Sequence, residues 1–307
     1  MDELFENKHK RRVFLYISFV TFLLLLLIRI FVVPAVFHSP TPKLIEILNI
    51  NLDNLIASGV ATIAIAGVIF YLNPPVVKKS EISVLAPLQI SSVLQEARQS
   101  TSIYWYIGGL GRFTRNVTIP DLSRSARARN QTTELVIQVI DPRESNLCRL
   151  YANYRNGLRS ASSKAPWTQK KVQIESYATI VSAYAHHNAQ SLLKITVGLN
   201  RKYSLFRIDL SSTYAVITKE DPQEPALICK SGSLFYQSFL EDLRLSLDQA
   251  YVLPYAVCPE SEVLQPSHIA DLLTNLGILD TSLVESDFLQ IIEKVQSYEN
   301  PYRRTTQ

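Results

Sequence analysis

The chain has 307 residues and a formal net charge of +4, and it is 47% hydrophobic but only 19% charged. This composition and a mean hydropathy of +0.07 exclude an intrinsically disordered or collagen-like chain. Three cysteines are too few for a scaffold built on disulfide bonds, and no Cys/His cluster has metal-ligand spacing. The sequence therefore predicts neither a metal nor another cofactor.

Two apolar stretches near the N-terminus predict two transmembrane helices. Val13–Phe37 contains 21 apolar residues in 25, and Leu55–Leu72 is 18 residues long without a charge. Because basic residues precede the first stretch and follow the second, both termini are expected in the cytoplasm. We predict a cytoplasmic basic N-terminus at 1–12 and a two-helix transmembrane hairpin at 13–73. The connecting segment Lys43–Asn54 is either a short amphipathic element or an extension of the hairpin.

Five residues in this hairpin are candidates for a membrane function. Arg29 interrupts the first apolar stretch, so it either extends to the interface or lines a polar path with Pro34 providing a local break. Ser58, Thr62 and Ala66 follow one another at i+4 spacing, which favours close helix packing. This face serves either self-association or contact between the two helices of one chain.

Beyond residue 80, alternating strand-like and helix-like segments predict a cytoplasmic α/β domain at 81–255 with a central mixed sheet. Ile103–Ile107 is a buried-strand candidate that leads into Gly108-Gly109-Leu110-Gly111, a turn in a chain with only nine glycines. Two further strand candidates, Leu192–Leu199 and Ser204–Asp209, are predicted to form a hairpin. A helical tail is expected at 259–307, and a separate helical hairpin is one interpretation of it. The other predicted elements are strands Glu134–Ile140, Thr213–Thr218 and Ala226–Lys230, and helices Thr118–Ala128, Glu144–Arg155, Val172–Ala189, Leu234–Leu253, His268–Leu276 and Leu283–Tyr298.

Charge is unevenly distributed along the chain. From Arg98 to Lys171 there are 13 basic and four acidic residues, whereas from Val172 onwards there are ten basic and 16 acidic residues. A helix N-terminus beside a glycine turn favours anions, and arginine forks bind phosphate. The alternative is a solvated basic face that pairs with the acidic half. The predicted phosphate or nucleic-acid contacts are Arg112, Arg115, Arg124, Arg127 and Arg129.

Catalytic arrangements are scarce in this sequence. Adjacent His186 and His187 would point about 100° apart on a helix, which does not suit two ligands of one metal. No nucleophile elbow, metalloprotease helix or zinc-type cysteine pair is present. Asp141 follows a strand end, where it either serves function or begins a turn before proline. We therefore predict that the protein is not an enzyme.

The segment of roughly residues 100–250 resembles a degenerate phospholipase-D-like domain. The resemblance rests on GGLGR, a helix opened by Thr-Ile-Pro-Asp, ELVIQVIDP, FRIDLSSTYAVIT and SGSLFYQSFL. The family signature is His-x-Lys followed by Asp, and this chain instead has Phe206-Arg207-Ile208-Asp209. The resemblance implies a binding or assembly domain that kept the fold and lost hydrolysis.

The layout of two short N-terminal spans before an α/β domain is similar to membrane effectors of bacterial anti-phage defence, most of all to the two-transmembrane effectors of retrons. This resemblance implies an effector of abortive infection in the bacterial inner membrane, held inactive by a partner. The implied partners are a reverse transcriptase with its RNA–DNA product, or another anionic regulator. Self-association on activation would then disrupt the membrane.

Two other functions compete with this hypothesis. A membrane-tethered nuclease or lipid hydrolase with rearranged catalytic residues would depend on Asp141, His186 or Asp209. A non-toxic membrane scaffold would recruit a partner through its C-terminal helices.

Overall fold

The protein, analysed as a computed structural model, forms two compact units, Met1–Lys78 and Lys79–Gln307. Pro34 lies outside the residues that the structure describes, as do the two ends of the chain. The described residues are 8–32, 42–72, 82–159, 165–221, 223–258 and 264–297.

The N-terminal unit is a pair of packed helices. Helix α1 (Lys8–Leu27) continues into a π-helical turn at Ile28–Val32, and helix α2 (Pro42–Leu72) is 31 residues long. Helix α2 includes Lys43–Asn54, so this segment extends the helix and forms no separate element. The half-buried positions of α2 include Leu52, Ile56 and Gly59, and a Cβ on Gly59 would lie 3.9 Å from Phe22.

The membrane-function candidates are distributed around this helix pair. Arg29 lies in the π-helical turn, and its Nε is 3.1 Å from Asp53 Oδ1 in α2. Ser58 and Thr62 are exposed, and the Thr62 hydroxyl donates to the Ser58 carbonyl at 2.8 Å. The Ser58–Thr62 face is therefore not the one that packs on α1. Ala66 belongs to α2, but its side chain is outside the described part of the structure.

The prediction of two transmembrane helices is wrong, and with it the prediction of an inner-membrane location. In the part of the chain that the structure describes, no helix combines the length and the apolar character needed to cross a membrane. Helix α1 begins among basic residues, so its uncharged part, Val13–Leu27, is about 22 Å long at ~1.5 Å per residue. In α2, charges extend to Asp53, and the remaining Leu55–Leu72 is about 27 Å long. Both lengths are below the roughly 30 Å of a bilayer core.

The second unit is a mixed α/β domain. Residues 82–297 form eight strands and seven helices within the described ranges, and a π-helical turn at Thr114–Thr118 precedes α4. The strands are β1 (Ile82–Leu85), β2 (Ile103–Ile107), β3 (Thr133–Ile140), β4 (Leu193–Asn200), β5 (Phe206–Ser211), β6 (Tyr214–Lys219), β7 (Ala226–Lys230) and β8 (Tyr251–Val252). The helices are α3 (Pro87–Gln99), α4 (Ile119–Arg129), α5 (Ser145–Asn156), α6 (Gln169–Ala189), α7 (Leu234–Asp248), α8 (Pro266–Asn275) and α9 (Glu285–Gln296).

All eight strands form one sheet in the order β1-β7-β6-β5-β2-β3-β4-β8. Strands β2, β3 and β4 are parallel, and every other neighbouring pair is antiparallel. The carboxyl ends of β2, β3 and β4 therefore meet at one edge of the sheet, together with the start of β5 and the end of β6.

The predicted hairpin between β4 and β5 is wrong. Strand β4 pairs with β3 and β8, whereas β5 crosses to the other side of β2 and pairs there with β2 and β6. Strand β3 is buried at seven of its eight positions. A strand covered on both faces belongs in the middle of a sheet, and β2 and β4 occupy its two sides as parallel neighbours.

Helices cover both faces of the sheet. Helix α7 covers one face through Tyr236 and Leu243, which pack with Trp105 and Leu210. The opposite face is covered by α4, α6 and the C-terminal helices. Helix α6 is buried without interruption from Val172 to Tyr184, because protein surrounds it on every side.

The C-terminal helices belong to the main core of this unit. Leu272 on α8 and Ile291 on α9 are fully buried in the same hydrophobic cluster as Ile180 on α6. Lys170 at the start of α6 forms an ion pair with Asp287 at the start of α9, with Nζ–Oδ2 at 2.9 Å. The tail therefore completes the coverage of α6.

We expect the Asp287 ion pair to make this packing sensitive to acid. Burial would raise the pKa of Asp287, but hydrogen bonds from Lys170 and from the Val284 amide outweigh it and lower the pKa. The stabilisation that this carboxylate contributes is thus fully present above about pH 3.9, the pKa of Asp287 in the unfolded chain. It is lost as the pH falls through the lower pKa that Asp287 has in the folded protein. The free energy of unfolding of the Asp287→Asn variant, measured in urea at pH 7, should be about 1–2 kcal/mol lower than that of wild type. This difference should shrink below about pH 4; an equal difference at pH 7 and pH 3 would contradict the prediction.

Candidate anion-binding site

A cationic cavity lies at the edge where β2 ends. It is lined by Tyr106, Leu110, Gly111, Arg112, Phe113, Tyr151, Arg155, Arg207 and Glu220. Its lining therefore contains three guanidinium groups and one carboxylate. The volume accessible to the centres of water molecules is about 10 Å³, which is room for about one water.

The glycine turn after β2 makes room for the tyrosines of this cavity. A Cβ on Gly109 would lie 2.0 Å from the Tyr151 hydroxyl, and one on Gly108 would lie 2.4 Å from the Tyr106 hydroxyl. Gly111 has a φ of +65°, a left-handed conformation that favours glycine. The turn is held against α6 because the Thr179 hydroxyl donates to the Leu110 carbonyl at 2.7 Å. The glycines thus bring the backbone close to aromatic rings at the cavity wall.

We expect the Gly109→Ala variant to be destabilised by about 1–3 kcal/mol, because its Cβ would overlap a ring that cannot easily move. Tyr151 is fully buried, and its hydroxyl donates to Glu220 Oε1 at 2.8 Å. Gly157→Ala is a matched control, because a Cβ there meets no atom closer than 3.4 Å. Equal urea midpoints for the two variants would contradict the prediction.

Three cations surround the indole of Trp167 beside the cavity. The Arg155 Cζ and the Lys171 Nζ each lie 4.7 Å from the ring centroid, and the Arg112 Cζ lies 5.6 Å from it. Asn156 fixes the Trp167 backbone, accepting from its amide at 2.7 Å and donating to its carbonyl at 2.9 Å. Burial and the nearby Arg112 lower the pKa of Lys171, although Glu175 opposes them. The three cations around the indole therefore repel one another, and the carboxylates that pair with Arg112 and Arg155 offset part of that repulsion.

Carboxylates in and behind the cavity hold its arginines in place. Glu175 on α6 accepts from Arg115 Nη2 at 2.7 Å and lies 3.4 Å from Arg112 Nε. Glu220 forms an ion pair with Arg155. Asp209 Oδ2 lies 3.2 Å from Arg207 Nε, and Asp209 Oδ1 accepts from the Tyr104 hydroxyl at 3.0 Å. Each arginine of the lining thus has a carboxylate that orients it.

The five arginines singled out from the sequence are at different places. Arg112 lines the cavity, and Arg115 lies behind it, buried against Glu175. Arg124 and Arg127 are exposed on α4, where Arg124 pairs with Asp121. Arg129 donates to the Thr101 carbonyl at 2.6 Å, at the opposite end of β2. The length of β2, roughly 15 Å, therefore separates Arg129 from the cavity.

The cavity and the cation cluster around Trp167 also contain residues that the sequence did not single out. Arg155 and Lys171 lie in the positively charged segment, which was a usable signal. No sequence signal marked Arg207, Glu220 or Trp167 as part of this site. Only the tertiary structure brings the start of β5, the end of β6 and the segment before α6 to the end of β2.

The three candidates for catalysis are Asp141, His186 and Asp209, and each makes structural contacts at a different place. Asp209 is the carboxylate beside Arg207. Asp141 Oδ2 accepts from Arg143 Nη2 at 2.7 Å, and its Oδ1 accepts from the Arg143 amide at 3.0 Å, which is the expected turn. His186 Nδ1 lies 2.9 Å from the Ser182 carbonyl one turn earlier. Among the described residues, no group of three or more His, Cys, Asp or Glu side chains could hold a metal ion.

The three cysteines are buried and unpaired with one another. Burial raises the pKa of Cys148 to about 12 and also raises the pKa values of Cys229 and Cys258. These thiols are therefore poor nucleophiles.

No family model matches this chain, and neither the curated proteins nor the solved structures include a significant match to it.

Proposed function

We propose that the α/β domain binds a phosphate-bearing anion in the cationic cavity. The observation that carries this proposal is the convergence of Arg112, Arg155 and Lys171 on one indole, beside a lining with three guanidinium groups and one carboxylate. Guanidinium forks match the oxygens of a phosphate, and α/β sheets bind ligands beyond the carboxyl ends of their parallel strands.

The size of the cavity determines how such an anion would bind. Its interior has room for about one water, so only one or two phosphate oxygens enter, and the remainder of the ligand stays at the mouth. Arg112 is one-third exposed and Arg155 is 13% exposed, so both side chains that line the cavity keep some contact with solvent. The proposed ligand is therefore a terminal phosphate and not an internal phosphate of a chain threaded through the domain.

Tryptophan fluorescence tests this proposal directly. The chain has two tryptophans, so the Trp105→Phe variant leaves Trp167 as the only reporter. Titration with inorganic phosphate or pyrophosphate should change its emission, and added NaCl should weaken binding. Arg112→Gln and Arg155→Gln should each weaken binding about tenfold or more, since each removes a charged hydrogen-bond donor.

Arg124→Gln is the matched control for these variants. Arg124 is 79% exposed on α4 and is not part of the cavity lining, so its loss should leave affinity unchanged. Absence of binding in the wild-type protein, or an equal loss in all three arginine variants, would overturn the proposal.

The anti-phage effector function stays a prediction. Within that hypothesis, the anion bound at this cavity would be the regulator, and the reverse transcriptase with its RNA–DNA product would be its source. Self-association on activation likewise stays a prediction.

A further inference from the structure

Three tyrosines form an aromatic cluster next to the cationic cavity. The ring centroids of Tyr151 and Tyr203 are 5.3 Å apart, and the two rings are nearly perpendicular. The ring centroids of Tyr154 and Tyr203 are 5.8 Å apart, and the angle between the ring planes is 31°. Tyr151 is fully buried and lines the cavity, whereas Tyr154 and Tyr203 are half-buried. The two outer tyrosines thus keep part of their side-chain surface in contact with solvent.

Glu220 and Arg155 connect this aromatic surface to the cavity. Glu220 accepts from the Tyr151 hydroxyl and pairs with Arg155. Burial and the nearby Glu220 raise the pKa of Tyr154, while Arg155 opposes this effect. The Tyr151 hydroxyl, Glu220 and Arg155 therefore link the aromatic cluster to the cationic cavity through a hydrogen bond and an ion pair.

Charged groups and open aromatic rings favour different parts of one ligand. Guanidinium groups bind phosphate, whereas an exposed tyrosine ring gains from stacking with a flat heterocycle. Inorganic phosphate or a sugar phosphate would leave the rings of Tyr154 and Tyr203 in contact with water. A ligand with a terminal phosphate and a planar base satisfies both parts.

We propose that the ligand of this site is a nucleotide, whose phosphate meets Arg112 and Arg155 and whose base stacks on the Tyr154–Tyr203 surface. This inference rests on the proposed function, because it names the chemical class of the anion. Binding of the nucleotide at this site involves no covalent step.

The test compares ligands that share a phosphate and differ in the base. Affinities of adenosine, guanosine, cytidine and uridine 5′-monophosphates are measured against ribose 5-phosphate and inorganic phosphate, with Trp167 fluorescence and calorimetry as readouts. At least one nucleotide should bind about tenfold more tightly than ribose 5-phosphate. Tyr203→Leu and Tyr154→Leu should remove that advantage and leave the affinity for inorganic phosphate unchanged.

Tyr255→Leu is the control, because Tyr255 is 74% exposed and lies in a different groove beside β4. Equal affinities for the nucleotides and ribose 5-phosphate would overturn the nucleotide inference while leaving anion binding intact. Failure of all these ligands to bind would instead overturn the proposed function. Loss of the base-dependent advantage in Tyr255→Leu as well would count against the tyrosine surface.

Discussion

The Glu175→Gln variant should lose about 3–5 kcal/mol of unfolding free energy, because it removes the charged partner of a buried guanidinium. Glu175 and Arg115 are each only 3% exposed. Burial lowers the pKa of Arg115 although Glu175 raises it, which reflects the cost of holding this cation away from water. Without the carboxylate, Arg115 keeps its hydrogen bonds to Asn116 Oδ1, to the Glu175 carbonyl and to the Thr179 hydroxyl, none of which carries a negative charge. The measurement is urea unfolding followed by circular dichroism.

A second variant separates the lost charge from a change of shape. Arg115→Met combined with Glu175→Gln removes both charges, and a buried pair replaced in this way usually recovers much of the stability. We expect the double variant to be more stable than Glu175→Gln alone. A single variant within 1 kcal/mol of wild type would show that water or another side chain compensates Arg115.

The second large effect is expected just after the end of β3, where the Asp141→Asn substitution should lower the free energy of unfolding by about 2–3 kcal/mol. Asp141 is 1% exposed, and both of its oxygens accept from the Arg143 guanidinium. The hydrogen bond to Asp141 is also the main reason why the pKa of Arg143 is raised. Arg143 in turn lies over the Tyr251 ring, at 4.6 Å from the centroid. The ion pair thus connects the end of β3 to the edge strand β8.

This variant also separates a structural role from a catalytic one. If Asp141 served an enzyme, the asparagine variant would fold with wild-type stability and lose only activity. Our expectation is the reverse, with a lower melting temperature and a double-mutant coupling to Arg143→Met of more than about 1 kcal/mol. An unchanged melting temperature would contradict it.

Local elements of the α/β domain followed closely from the sequence. Ile103–Ile107 is a strand with the predicted bounds, β7 matches the predicted Ala226–Lys230, and β6 lies one residue beyond the predicted Thr213–Thr218. These segments were recognisable because alternation and continuous apolar runs report burial directly. Short edge elements such as β1 and β8 carry few buried residues, and the sequence did not reveal them.

The arrangement of these elements could not be obtained in the same way. The short Asn200–Leu205 connection favours a hairpin, yet β4 and β5 are separated by β2 and β3. Likewise, apolar length alone predicted membrane spans, whereas the charges at the start of α1 and in α2 shorten the uncharged parts. The strand order depends on which surfaces each strand can cover, and therefore on residues distant in the chain. The membrane prediction depended instead on where charges fall within each helix.

The sequence by itself determined that this protein has an α/β domain and an arginine-rich segment. Only the tertiary structure decided which arginines lie together. Arg112 and Arg155 meet Arg207 because parallel pairing of β2, β3 and β4 brings their carboxyl ends to one edge, and antiparallel β5 begins there. Arg124 and Arg127, although close to Arg112 in sequence, are carried away along α4. Composition counts charges, but their distances are set by strand order, and electrostatic energy depends on those distances.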